Sequence, residues 1–133
     1  MALSTYFAKV FGIGLIVAGI SVILYRDAFI KAVPGFIEDR LLRLTIAFIE
    51  MLAGLFLIIG HNVWTPVPAA IITLLGWVTA IEGAALLLLP DDMLRRFMSV
   101  VNRPRVYLAS GIVTIILGIY LADYGFALWP RFQ

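Results

Sequence analysis

The chain has no cysteine, a single histidine, and charge on only 14% of its 133 residues. The first absence excludes disulfides, thiolate metal sites and a cysteine nucleophile. The lone His61, at one end of an apolar run beside Asn62 and Trp64, has too few neighbouring ligands for a metal centre. Asp123 falls at the same surface, but nothing else joins the two. There is no phosphate-binding glycine loop, nucleophile elbow, zinc signature or haem-ligating histidine pair. The sequence therefore predicts no enzyme, no cofactor and no metal. The shortage of charge accompanies 63% hydrophobic residues and a mean hydropathy of +1.07. A water-soluble monomer of this size could not hide so much apolar surface. Alternating segments of about 10 residues are missing as well, which excludes a transmembrane barrel.

What is present is a set of four apolar runs, at 6–25, 41–60, 66–89 and 106–122. Each is close to the roughly 20 residues a helix needs to cross about 30 Å of hydrocarbon. The first lacks a compact basic start and ends at Tyr25-Arg26 instead of a small-residue cleavage site, so it reads as a mature span rather than a signal peptide. The expected fold is an all-α membrane protein, a four-transmembrane-helix bundle forming a single membrane domain over 1–133.

Basic residues are distributed unevenly. Arg26, Lys31, Arg40 and Arg43 lie at the first connection and Arg95, Arg96, Arg103 and Arg105 at the third, whereas the central connection has none and the two ends offer only Lys9 and Arg131. The positive-inside bias places both basic connections in the cytoplasm and both termini on the opposite side, where Trp64, Trp129, Tyr120 and Tyr124 gather. The net charge of +2 is thus directed at anionic headgroups rather than at nucleic acid, with Arg95, Arg96, Arg103 and Arg105 as the headgroup contacts.

In the third connection Asp91-Asp92 can cap a helix whose Leu94, Phe97, Met98 and Val101 share one face, the pattern of a helix lying in the membrane interface. In the first, Asp27, Phe29, Ile30 and Val33 begin similarly, and Pro34-Gly35 is expected to break the helix.

Displacing the chain on itself by 64 residues aligns Gly12 with Gly76, Gly19 with Gly83, Gly54 with Gly118, Asp27 with Asp91 and Lys31 with Arg95. The pattern predicts a duplicated two-helix hairpin, with units at about 6–62 and 66–126. Two spans per unit make the repeat parallel, with a pseudo-two-fold axis along the membrane normal. Residues 72–122 carry Ile81-Glu82-Gly83-Ala84-Ala85 and Leu86–Leu89 before Pro90, then Arg95-Arg96, Gly111 and Gly118. This stretch resembles the YjeT-like family of short two-span bacterial inner-membrane proteins of unknown function. The resemblance implies two such units fused and a bacterial inner-membrane location, and supplies no activity. The first half departs from the pattern, with Ala18 in place of the glutamate and Arg26 in place of the proline, while Gly19, Asp27, Lys31 and Gly54 are kept. The run from Ile49 to Gly60 is also similar to the second span of DoxX-like four-helix membrane proteins.

Small residues form stripes along the spans, with Gly12, Gly19, Gly54, Gly76, Gly83, Gly111 and Gly118 as helix-packing positions. Glu50 and Glu82 are the intramembrane acids. Glu50 shares a face with Ala47 and Gly54 and should point at another helix; Glu82 lies beside Gly83, nearer the cytoplasmic end. Such residues bind protons, cations or substrate in the bundle, or hydrogen-bond across helices. Three functions follow. One is a structural or accessory protein that binds itself or a larger membrane complex through glycine-rich faces. Another is an oligomeric proton or cation transporter or channel using Glu50 and Glu82. A third is a lipid- or quinone-binding protein.

Overall fold

A computed structural model describes residues 2–126. Trp129 and Arg131 lie outside the described residues. Six helices follow one another: α1 (Ala2–Leu24), α2 (Arg26–Glu38), α3 (Arg40–Gly60), α4 (Val67–Leu88), α5 (Asp91–Val101) and α6 (Pro104–Phe126). Of these, α1, α3, α4 and α6 are long and apolar enough to cross a membrane. The 21 residues of α3 extend over about 31 Å, the thickness of the hydrocarbon layer.

Proline sets three of the starts. Pro66 precedes α4, Pro90 precedes α5 and Pro104 opens α6, positions where a missing N–H costs nothing. The start of α3 is capped instead by Asp39, whose carboxylate accepts the Leu42 N–H at 3.1 Å.

α1 lies along α6 and α3 along α4, and the two pairs meet mainly through α1 and α4. Glycine lets the paired backbones approach. A Cβ on Gly12 would lie 2.5 Å from the Ala122 nitrogen, and one on Gly83 would lie 2.5 Å from the Met51 nitrogen. The contacts recur along the chain. Gly12 faces Ala122 as Gly76 faces Ile58; Gly19 faces Gly111 and Ile115 as Gly83 faces Ala47 and Met51; Gly118 faces Ile16 as Gly54 faces Ala80. In every case the partners are displaced by the same 64 residues. The closest pairings thus join the first span to the last and the second to the third, across the two halves of the sequence.

The fully buried residues Ala8, Ile72 and Leu121 form the core, with Phe7, Phe11, Leu57, Tyr120 and Tyr124 packed around them. α2 and α5 meet each other at the opposite, basic end.

Two details of the connections differ from the sequence expectation. α2 does not break at Pro34-Gly35 but runs through them. Pro34 has no N–H to give to the carbonyl of Ile30, four residues earlier. That carbonyl accepts instead from Asn102 Nδ2 at 3.1 Å, and Asn102 Oδ1 accepts the Tyr107 hydroxyl at 2.7 Å. Tyr107 in turn stacks on Phe29 with ring centroids 6.1 Å apart. The second difference concerns α5. Asp91 and Asp92 do not cap it, because the residue at the cap is Pro90 and the Asp91 carboxylate is engaged by α3. Its apolar residues also divide. Leu94 is buried, whereas Phe97 is exposed together with Met93 and Val100, one and two turns apart. An apolar arc wider than the bundle can cover suits a helix embedded in the interface.

Candidate functional site

The intramembrane acids lie where α3 and α4 are closest. Gly54 abuts Ala80 on one side of their level, and Gly83 abuts Ala47 and Met51 on the other. Glu50 is ten residues from the start of α3, about 15 Å along its axis, and Glu82 is six residues from the end of α4, about 9 Å. The two carboxylates interact electrostatically. Ala47 and Gly54 are buried against α4 as the shared-face pattern anticipates, and Glu50 sits half-buried at the rim of that contact. Its Oε2 is buried without a hydrogen-bond partner. Glu82 is exposed. The acids therefore meet at the outer rim of α3 and α4 rather than in the bundle interior, and among the described residues neither has an ion pair. A cavity of about 270 Å³ lies a turn further along, where Phe7 and Phe11 of α1 face Leu57 and Thr79.

A second polar cluster closes the basic end. Arg43 falls in the first turn of a span, yet only 4% of its side chain is exposed. It donates from Nη1 to the Ile37 carbonyl at 2.6 Å and from Nη2 to Asp91 Oδ1 at 2.7 Å. Arg40 donates to the other Asp91 oxygen at 3.2 Å. Hydrogen bonds from Arg43 and then Arg40 hold the Asp91 carboxyl below its ordinary range. Arg95 donates to Glu38 at 2.8 Å and to Asp92 at 3.1 Å, and its hydrogen bond to Glu38 raises its affinity for its proton. Of the residues expected to meet headgroups, Arg95 is thus tied to α2, while Arg96, Arg103 and Arg105 are exposed. Sequence reasoning missed the joint role of Arg40, Arg43 and Asp91. The available signal was an arginine inside an apolar run, which requires a partner.

The other end is organised by His61, 1% exposed. Thr73 Oγ1 lies 2.6 Å from the Val63 carbonyl, to which it donates, and it accepts the Val63 N–H at 3.2 Å. The threonine hydrogen being so used, His61 Nδ1 is the donor in its 3.1 Å contact with Thr73. Nε2 is then left to accept the Ser4 hydroxyl at 2.8 Å. Both ring nitrogens are taken, and no Asp123 pair forms. A serine bonded to histidine Nε2 has the geometry of a nucleophile and its base. Ser4 is also only 1% exposed, so no substrate reaches it, and the trio serves to tie α1 to the α3–α4 connection. Ser4 and Thr73 escaped the sequence reading because single hydroxyls in apolar helices have no characteristic spacing.

No family model matches the chain, and no curated protein or solved structure matches it.

Proposed function

We propose that the chain is a non-catalytic accessory membrane protein that assembles with a neighbouring membrane helix, of a second copy or of a larger complex, through the α3–α4 face bearing Glu50 and Glu82. The observation that supports this is the exposure of Glu82 at hydrocarbon depth. A charged acid costs about 2.5–3.5 kcal/mol at the bilayer centre and less toward the interface, and lipid tails offer it no hydrogen bond. A helix that covers the face supplies one. The bundle contributes its rigid backing, since glycine locks α3 to α4 directly behind the acids.

The chain is, in this reading, two fused two-span units of the kind its second half resembles. The recurrence of the glycine contacts at a fixed offset supports the duplication, and so does their distribution. Because each close pair joins one half to the other, a single two-span unit would need a second copy to form it. The two basic connections, one with Arg26, Lys31, Arg40 and Arg43 and the other with Arg95, Arg96, Arg103 and Arg105, meet at one end through α2 and α5. This supports a cytoplasmic placement of that end with the termini opposite, and the family resemblance supports a bacterial inner membrane.

Purification from native membranes in mild detergent tests the assembly. The wild-type chain is expected to run in a particle larger than its 14.7 kDa monomer, and Glu82→Gln or Glu50→Gln to release it. A monomer in every case contradicts the proposal. A second reading, proton or cation transport by an oligomer, draws support from the partnerless Glu50 Oε2. It requires flux in reconstituted vesicles that either glutamine variant abolishes.

A further inference from the structure

We infer that the basic end binds the phosphate of one anionic phospholipid, in the cavity between the first turns of α3 and the α4–α5 corner. This site lies apart from the Glu50–Glu82 face and does not depend on how that face is partnered. The cavity holds about 600 Å³ and is walled by Arg40, Arg43 and Arg95, with Asp91 beside them and Leu44 and Leu87 toward the apolar layer.

Arg43 is the telling residue. Its guanidinium has five N–H groups in a planar fork and is withdrawn from water, with 4% of the side chain exposed. Ile37 and Asp91 take its two terminal nitrogens, and the Nε–H has no acceptor among the described residues. A buried cationic donor without an acceptor is costly, and a phosphate oxygen drawn in beside Arg43 is an acceptor of the right charge. Arg40 is 71% exposed and makes one long contact to Asp91, so most of its fork is free to join. Three guanidinium groups line the cavity with the carboxylates of Asp91 and Asp92, and Arg95 is held from outside the lining by Glu38, so the N–H groups free for an anion are chiefly those of Arg40.

The walls indicate the source of the phosphate. Arg40 and Arg43 lie where α3 leaves the apolar layer, and Leu44 and Leu87 continue inward from them. A lipid phosphate held by the arginines lets its acyl chains run down those leucines, whereas inorganic phosphate would leave them uncovered. One site per chain is expected. At the offset of 64 residues, Arg40 and Arg43 are replaced by Pro104 and Tyr107, which carry no charge.

Native mass spectrometry of the delipidated full chain tests this with three probes: phosphatidylglycerol, phosphatidylethanolamine and sodium phosphate. One phosphatidylglycerol per chain is expected, bound about tenfold more tightly than phosphatidylethanolamine and not displaced by sodium phosphate. Arg40→Gln should weaken phosphatidylglycerol about tenfold, and the lipid-induced rise in melting temperature should shrink with it. The variant Lys31→Gln removes an exposed charge outside the cavity and should leave both readouts unchanged. Equal losses in the two variants, or no loss in Arg40→Gln, would mean diffuse charge attraction and overturn the site. Displacement by sodium phosphate would overturn the lipid as its ligand.

Discussion

Asn102 Nδ2 donates to the Ile30 carbonyl at 3.1 Å, across 72 residues of sequence, and so occupies the acceptor that Pro34 leaves open. Asn102→Ala should strand that carbonyl and cost about 1–3 kcal/mol. In a Pro34→Ala background the restored N–H can take the carbonyl, and the same substitution should cost markedly less. Denaturant unfolding in detergent of the two single variants and the double variant measures the coupling. Equal costs in both backgrounds would separate Asn102 from Pro34.

The glycine contacts make a graded set. Gly83→Ala and Gly118→Ala would place a Cβ within 3.0 Å of the facing helix backbone, and each should cost about 1–3 kcal/mol as the helices part. Gly14 has nothing within 4 Å of the same position. Gly14→Ala should be neutral or stabilising by up to about 1 kcal/mol through helix propensity. Thermal unfolding in one detergent compares the three.

The spans and their packing faces were legible because hydrocarbon imposes a length and glycine marks close approach. Where the reading failed, the cause was a contact between residues distant in sequence. Nothing near Pro34 announces that Asn102 will complete its helix, and nothing near Asp91 announces that Arg43 will draw it away from capping α5. Glu50 and Glu82 were visible as acids at depth. That they would stand at a rim instead of in the interior depended on how the helices pair, which a pattern within single spans does not contain.

The Asp91 contacts should confer a dependence on pH. Because its folded-state value is held below the ordinary 3.8, the carboxylate contributes its full stabilisation above that pH and loses it as the pH falls through the depressed value. Acid should therefore loosen α5 from α3 below about pH 3.8. Hydrogen exchange of α5 amides monitors this, and Asp91→Asn should show the loosened state at neutral pH. An Asp91→Asn exchange rate that matches wild type at neutral pH would leave Asp91 without a holding role.

The most direct measurement of the α3–α4 face uses a benzophenone amino acid placed at position 81, beside Glu82, or at position 116 on α6, both lipid-exposed in the single chain at 62% and 60%. Irradiated in native membranes, position 81 should capture a protein, its mass distinguishing a second copy from another subunit, and Glu82→Gln should abolish the adduct, while position 116 captures lipid alone. Lipid adducts alone at both positions would show that Glu82 faces the bilayer without a partner, and would contradict assembly through this face.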